Sequence, residues 1–348
     1  MRRPTRRVSV GSAFIGCGAD VLIQSMTNTD TADAEAAAAQ IGALTDAGCE
    51  AVRCAFYSRD CGPAFREIKK TMRVPLIADV HFDAELAVLA IENGADKVRI
   101  NPGNLRGSLK RVVDCAKENG AALRVGVNAG SLEPELLKEY GGPTPEALAK
   151  SALDWTRLID ALGFDRVVVS LKASSVPVCV EANRLFAAQC DAPLHIGVTE
   201  AGTYEHAIIK SSAGLGALLL DGIGDTVRVS VTGDPVQEVE AARRILQACG
   251  VRTFYPEVVS CPTCARTGID VAALSRRVEA LLLKQNKPIV AAVMGCVVNG
   301  PGEAKHADIG IAGGGEGKAA LFARGKLVST GSQAEILMQF ENYITDNF

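Results

Sequence analysis

The sequence predicts an α/β fold, in which an N-terminal (β/α)8 barrel precedes a smaller C-terminal α+β domain. Apolar segments of strand length alternate eight times with segments of helical period, and several of the helices have recognisable capping residues. Such alternation predicts parallel strands buried on both faces, which eight repeats close most naturally into a TIM barrel. A composition change after residue 249 predicts the second domain. A doubly wound open sheet is the alternative to the barrel.

The elements follow in order along the chain. The eight predicted strands cover residues 20–26, 49–56, 74–81, 97–103, 122–128, 166–172, 193–200 and 226–233. The eight predicted helices cover residues 31–47, 62–72, 84–93, 107–119, 145–162, 177–189, 203–217 and 235–248. Asp83 and Thr144 are N-cap residues, and Gly48, Gly94 and Gly163 end three helices. The domains therefore divide into 1–249 and 250–348, with a last helix expected from about Gln333.

Composition restricts the class of protein. The chain has 348 residues with 37 basic and 40 acidic side chains, a formal net charge of -3, which argues against nucleic acid or an anionic membrane as a partner. No apolar run approaches the roughly 20 residues of a membrane span, and the basic start lacks the apolar core of a signal peptide. Eleven cysteines favour a reducing compartment, so we expect a cytoplasmic protein.

Cationic side chains recur near the carboxyl ends of the predicted strands, where barrel enzymes carry their chemistry. The five are Arg53, Arg99, Arg124, Lys172 and Arg228. Cations that converge on one mouth repel each other unless an anion joins them, and guanidinium groups match phosphate oxygens. The pattern therefore predicts a substrate with more than one phosphate group. Alternatively, each arginine turns outward to pair with an acid on a covering helix.

Other polar side chains are expected at the same mouth. Strand alternation places Asn101 on the face of Arg99, Asn128 on that of Arg124 and Ser230 on that of Arg228. The remaining candidates are Gln24, Ser25, Thr27, Asn28, Asp79, His81, Thr199 and Glu200. Asp79 and Glu200 can hold hydroxyl groups or handle protons, so they are candidate catalytic residues, whereas a single histidine such as His81 is more often structural.

The second domain contains a cysteine pattern typical of metal sites. Cys261 and Cys264 have Cys-x2-Cys spacing, and Cys296 follows them, a set that suits zinc or an iron–sulfur cluster. The fourth ligand is His306, which would make a structural zinc site, or Glu303, or no protein group. Glu303 follows the turn of residues 299–302 and would be a labile oxygen ligand among thiolates.

These residues resemble a known family, the bacterial 4-hydroxy-3-methylbut-2-en-1-yl diphosphate synthases, called IspG or GcpE. The resemblance covers essentially the whole chain, and its most specific motif is MGCVVNGPGEAKHADIGIAGG at 294–314. The other motifs are IQSMTNTDT (23–31), VRCAF (52–56), IADVHF (77–82), VRINPGN (98–104), RVGVN (124–128), HIGVTEAG (195–202) and SCPTC (260–264).

The resemblance implies a two-electron reductive ring opening and dehydration of 2-C-methyl-D-erythritol 2,4-cyclodiphosphate to 4-hydroxy-3-methylbut-2-enyl diphosphate, in the non-mevalonate isoprenoid pathway. It implies a [4Fe-4S] cluster with Cys261, Cys264, Cys296 and Glu303 as ligands, and a substrate held by the cations of the barrel. Flavodoxin or a ferredoxin would supply the electrons. It further implies a homodimer in which the cluster domain of one chain caps the barrel of the other.

Two other functions are compatible with parts of the pattern. One is a phosphate-binding barrel transferase, for instance a pterin-dependent enzyme, with a structural zinc domain. The other is an iron–sulfur sensor or cluster carrier that uses the barrel only as a scaffold, although a scaffold does not need polar strand ends. One zinc ion per chain without iron would favour the transferase, and failure to bind any diphosphate would favour the carrier.

Overall fold

The chain divides into two compact units between Arg252 and Thr253. The structure is a computed structural model that describes residues 2–81, 83–101, 108–285, 287–296, 298, 300–303, 306–315 and 317–348. Among these residues, no helix combines the length and apolar character needed to cross a membrane.

The first unit is built on eight parallel strands, which confirms the predicted fold class. They are β3 (Leu22–Met26), β4 (Ala51–Ala55), β5 (Leu76–Asp79), β6 (Lys97–Ile100), β7 (Ala122–Asn128), β8 (Val167–Lys172), β9 (His195–Ile196) and β10 (Thr226–Val227). Their order in the sheet is β8-β7-β6-β5-β4-β3-β10-β9. A parallel bridge between Val169 and Leu194 brings β8 beside β9 and closes the ring, so the open sheet is excluded.

Helices cover the outside of the barrel. They are α1 (Ala34–Asp46), α2 (Cys61–Thr71), α3 (Ala84–Glu92), α4 (Leu109–Asn119), α5 (Pro134–Tyr140), α6 (Pro145–Ala161), α7 (Val176–Ala187), α8 (Tyr204–Leu220) and α9 (Pro235–Ala248). Asp83 and Thr144 cap α3 and α6 as predicted, because each side chain accepts a hydrogen bond from a backbone N–H in the first turn. The short helix α5 was not predicted.

A β-hairpin that the sequence analysis did not predict closes the amino end of the barrel. Its strands are β1 (Val8–Val10) and β2 (Ala13–Ile15), which pair in antiparallel register. Apolar side chains of the hairpin pack against Ala122 and Val168, near the amino ends of β7 and β8. Strands of three residues are too short to show a clear period in the sequence.

The second unit is a mixed sheet covered by helices. Its strands, in sheet order, are β11 (Glu257–Ser260), β12 (Val290–Met294), β13 (Ile309–Gly315), β14 (Lys318–Ala323) and β15 (Lys326–Ser332). Its helices are α10 (Val271–Gln285), α11 (Gly300–Glu303) and α12 (Gln333–Asn347). Val278, Ile309 and Phe340 are fully buried between the sheet and the long helices. This arrangement agrees with the predicted α+β class.

The close approach of β9 to the next strand gives a first prediction. A Cβ atom on Gly197 would lie 2.3 Å from the carbonyl oxygen of Arg228, so Gly197→Ala forces the backbone apart. We expect the variant to lose about 1–3 kcal/mol of unfolding free energy, the usual cost of overpacking. Urea unfolding followed by fluorescence measures the barrel alone, because the only tryptophan, Trp155, is buried in α6.

Gly42→Ala in α1 is the control, since a Cβ at Gly42 meets nothing within 4 Å. This exposed helical glycine is expected to yield a gain of about 0.5–1 kcal/mol. Equal urea midpoints for Gly197→Ala and the unmodified protein would show that the two strands can separate at no cost.

Candidate functional site

Asp79, at the carboxyl end of β5, is the centre of a buried group of charges inside the barrel. Its Oδ1 lies 3.1 Å from Nη1 of Arg99, and its Oδ2 lies 3.9 Å from Nε of Arg53. Burial alone would raise the pKa of Asp79, but the charge of Arg53 and the hydrogen bond with His81 hold that pKa well below its usual range. Asp79 is therefore an ionised counter-ion at neutral pH.

The strand register explains how these side chains meet. Asp79, Arg99 and Arg124 are partners on neighbouring strands β5, β6 and β7. They lie at one level of the barrel. Four residues beyond Arg124 on β7, the amide oxygen of Asn128 accepts from Nη2 of Arg99 at 3.1 Å in the orientation that satisfies both amide atoms. A Cβ atom on Gly126 would lie 2.5 Å from Nε of Arg99, so glycine leaves the space that this guanidinium group occupies.

Arg124 is the most deeply buried of the cations. It is 1% exposed, and its Nε and Nη1 atoms have no hydrogen-bond partner among the described residues. Burial, with Arg53 and Arg99 nearby, lowers its pKa. Unpaired buried donors are costly, so these two atoms are candidates to donate to a bound ligand.

Arg53 and Arg228 differ in how they are held. Arg53 directs Nε and Nη2 at the thioether sulfur of Met26, at 3.1 and 2.9 Å, and burial lowers its pKa to about 10. Arg228 forms a bidentate ion pair with Glu238 on α9, at 3.1 and 2.9 Å. This is the outward pairing that the sequence left open as an alternative, and it applies to Arg228. The weak sulfur acceptor leaves Arg53 able to take a better one.

Lys172 lies beside a histidine that the sequence analysis did not select. Its Nζ is 3.2 Å from Nε2 of His195, and Nδ1 of His195 is 2.8 Å from the hydroxyl of Thr226. Lys97, also not selected, is fully buried with its Nζ 3.5 Å from the Gln24 side-chain oxygen. Both residues lie within predicted strands, where one polar residue in an apolar run gives little indication of its partners.

The mouth of the barrel contains a cavity of about 510 Å3. Five of the predicted site residues line it, namely His81, Asn101, Asn128, Thr199 and Glu200. His81 contacts Asp79, Arg99 and Asn101. Glu200 has a φ of 54°, a left-handed conformation that is unusual for a residue other than glycine. Ser230 is half-buried two residues beyond Arg228.

The second unit brings its three predicted cysteine ligands to one small cavity. Cys261, Cys264 and Cys296 line a space of about 130 Å3 together with Met294 and Gly295. The backbone N–H of Gly295 donates to Sγ of Cys261 at 3.1 Å. In the described part of the chain, no three His, Cys, Asp or Glu side chains already converge closely enough to hold a metal ion. Glu303 and His306 are both exposed, near the end of α11.

Comparison with known proteins identifies relatives of the whole chain. A family model described as the GcpE TIM-barrel domain matches residues 5–243, and one described as the GcpE protein C-terminal domain matches residues 257–346. A similar protein from Caldanaerobacter subterraneus is 52% identical over 339 residues, which is 97% of this chain and 95% of the relative. One from Nitratidesulfovibrio vulgaris is 51% identical over 331 residues, 94% of this chain and 86% of the relative. Both are named 4-hydroxy-3-methylbut-2-en-1-yl diphosphate synthase (flavodoxin).

Solved structures resemble the chain more distantly. Dihydropteroate synthase from Stenotrophomonas maltophilia has a TM-score of 0.52 at 15% identity, and the match covers 71% of this chain and 98% of that one. N-acetylneuraminic acid synthetase from Leptospira borgpetersenii also has a TM-score of 0.52, at 11% identity, with 82% and 100% covered. At these identities the likeness shows the fold alone.

The counter-ion role of Asp79 gives a second prediction. Asp79→Asn keeps the shape of the side chain but leaves Arg53 and Arg99 without the buried negative charge. We expect the free energy of unfolding at pH 7 to fall by about 3–5 kcal/mol, since removing one partner of a buried ion pair leaves the remaining charges uncompensated. The folded-state pKa of Asp79 is depressed, so the stabilisation is complete above the ordinary carboxyl pKa, and the difference between the proteins narrows only below about pH 4.

The urea midpoint reported by Trp155 fluorescence, measured from neutral to acidic pH, tests this expectation. Asp46→Asn, at an exposed position in the last turn of α1, is the matched control and is expected to leave the midpoint nearly unchanged. A midpoint for Asp79→Asn equal to that of the control would show that Asp79 does not balance the buried arginines.

Proposed function

Because the chain belongs to the GcpE family, it is an enzyme, and we propose that it converts 2-C-methyl-D-erythritol 2,4-cyclodiphosphate to 4-hydroxy-3-methylbut-2-enyl diphosphate. This reaction opens a ring reductively with two electrons and loses water, and it belongs to the non-mevalonate isoprenoid pathway. The relatives that carry this synthase name align with nearly the full chain. The observation that carries the proposal is the buried set of arginines, which has more donors than carboxylates.

The barrel binds the diphosphate in this proposal. Arg53, Arg99 and Arg124 direct donors into the interior, and two donor atoms of Arg124 lack a partner among the described residues. Bidentate pairing between guanidinium groups and phosphate oxygens would satisfy those donors and offset their mutual repulsion. Arg228 is held by Glu238, so it contributes the one guanidinium nitrogen that does not bond that carboxylate. Lys172 completes the group of cations.

The other polar residues of the mouth orient the carbon skeleton. His81, Asn101 and Asn128 line the cavity and can bond hydroxyl or phosphate oxygens, and Ser230 follows Arg228 at its edge. Asp79 holds Arg53 and Arg99 and stays ionised, so we assign it to positioning. Glu200 is the exposed carboxylate of the cavity wall, and it is the candidate for moving a proton or holding a hydroxyl group.

The second unit fits an iron–sulfur cofactor. Three cysteines share one cavity, thiolates are the usual protein ligands of iron–sulfur clusters, and the N–H of Gly295 already points at Cys261. We propose that Cys261, Cys264, Cys296 and Glu303 hold a [4Fe-4S] cluster. When bound, such a cluster supplies single electrons and a Lewis-acidic iron, which side chains cannot provide. Glu303, as an oxygen ligand, would be the exchangeable member of the set.

Partners follow from the same proposal. The relatives' name includes flavodoxin, which we take as the electron donor, with a ferredoxin as the alternative. The phosphate-binding residues and the cysteines lie in different units, so turnover requires a barrel and a cluster domain to meet. We propose that they do so in a homodimer, with the cluster domain of one chain capping its partner's barrel. Eleven cysteines suit the cytoplasm.

Metal analysis of cysteine variants tests the cofactor. Protein purified without oxygen is expected to contain about four iron and four sulfide ions per chain. Cys261→Ser and Cys296→Ser should lose most of both and all synthase activity, because a hydroxyl group is a poor substitute for a thiolate. Trp155 fluorescence should show an intact barrel in each variant.

Cys17→Ser is the control, since Cys17 is an exposed cysteine of the first unit without metal spacing, and it should keep iron, sulfide and activity. One zinc ion per chain with no sulfide would instead support the structural zinc site with His306, and the transferase function with it. Normal turnover by Cys296→Ser would overturn the cluster assignment.

A further inference from the structure

Lys172, His195 and Thr226 form a buried hydrogen-bonded row across three neighbouring strands. Lys172 ends β8, His195 begins β9 and Thr226 begins β10. The two contacts are 3.2 Å and 2.8 Å long, and His195 is fully buried while Thr226 is 1% exposed. This row lies inside the barrel, and the proposed cluster ligands Cys261, Cys264 and Cys296 belong to the other unit.

The short distance limits the number of protons that the pair can hold. If Lys172 is an ammonium group, it must donate to Nε2 of His195, so the histidine must be neutral with its hydrogen on Nδ1. That hydrogen then bonds the oxygen of Thr226. A doubly charged pair would place two donors against each other in a medium of low dielectric constant. The pair therefore carries one positive charge or none.

The surroundings decide between these two states. Burial, followed by the charge of Lys172, lowers the pKa of His195 well below its ordinary value. Burial, followed by the charge of Arg124, lowers the pKa of Lys172 in the same way. The groups facing the pair are Arg53 from β4, Lys97 from β6, Arg124 from β7, Cys179 from α7 and Arg228 after β10.

None of these groups offers the pair an unshared negative charge. Burial raises the pKa of the Cys179 thiol, which donates towards two backbone carbonyl oxygens. Asp79 is engaged with Arg53 and Arg99, and Glu238 with Arg228. Without an anion in the barrel, the neutral state of the pair is favoured.

We propose that His195 is a positioning residue that couples diphosphate binding to the uptake of one proton by Lys172. In the ligand-free barrel, Lys172 is a neutral amine beside a neutral imidazole. When the diphosphate binds, a proton from solvent converts the amine to an ammonium group, which pairs with a phosphate oxygen and donates a second hydrogen bond to Nε2 of His195. His195 keeps its single proton on Nδ1, bonded to Thr226.

The inference rests on the proposed function, because it assigns Lys172 to the binding of the cyclodiphosphate. Proton uptake fixes the direction in which affinity for the diphosphate changes with pH. Lys172 then has a higher pKa in the bound state than in the free state, so affinity for the diphosphate is greatest at low pH and weakens as the pH rises. Between the pKa values of the free and the bound pair, the Kd should rise about tenfold for each pH unit.

Calorimetry measures the number of protons that the enzyme takes up when it binds the cyclodiphosphate. The complete cluster-loaded enzyme is titrated with 2-C-methyl-D-erythritol 2,4-cyclodiphosphate in phosphate-free buffers of different ionisation enthalpy, at several values between about pH 6 and about pH 9. The dependence of the observed heat on the buffer is expected to give about one proton taken up per chain. The unmodified enzyme suffices for this result, so it does not depend on the folding of a variant.

Variants then locate the proton. His195→Leu removes the acceptor to which the Lys172 ammonium group would donate, so uptake should fall towards zero and the Kd should change less with pH, whereas His195→Gln keeps an acceptor beside Lys172 and should keep most of the uptake. His206→Gln, at an exposed position in α8, is the control and should keep the full uptake. Lys97→Met tests the other buried lysine and should also keep it, and Trp155 fluorescence confirms the fold of each variant.

The outcomes separate the two hypotheses. An unmodified enzyme that fails to bind the cyclodiphosphate would overturn the proposed function and this inference with it. Tight binding without proton uptake would leave the function standing and overturn the inference. Unchanged uptake in folded His195→Leu, or its loss only in Lys97→Met, would show that the proton is held elsewhere.

Discussion

Uncompensated positive charge inside the barrel is the constraint on which the rest of the site depends. Arg53, Arg99 and Arg124 are buried within reach of each other, and Asp79 is the carboxylate that faces them from β5. Desolvation of each guanidinium group is costly, and one carboxylate offsets only part of that cost. The positive charge inside the ligand-free barrel is therefore only partly balanced, and under the proposed function the diphosphate would supply the missing negative charge.

The backbone makes this arrangement possible. The parallel register of β5 and β6 places Asp79 and Arg99 side by side. Gly126 and Gly197 are positions at which a methyl group would enter the space of a cation or of the next strand. The charged interior therefore depends on these glycines, which leave space for the Arg99 guanidinium group and for the close approach of the neighbouring strand.

Much of this could be predicted from sequence because its signals are local. Strand and helix periods, caps such as Asp83 and the clustered cysteines are each visible within a few residues. The sequence left outward pairing open as an alternative but did not identify Glu238 as the partner of Arg228, because nothing local to either residue indicates that the strand end meets this helix. His195 was missed for the same reason: its neighbours come from two other strands, and only the closed barrel brings them together.

The hairpin β1–β2 gives the barrel a closed floor. Because apolar packing covers that end, ions reach the buried cations through the mouth, which under the proposed function is also the route of the substrate and the product. Under the proposed function, an inorganic anion bound to these cations would compete with the substrate for the same site. The ionic composition of the surrounding solution, and not only the concentration of substrate, then governs how much of the enzyme is available for turnover.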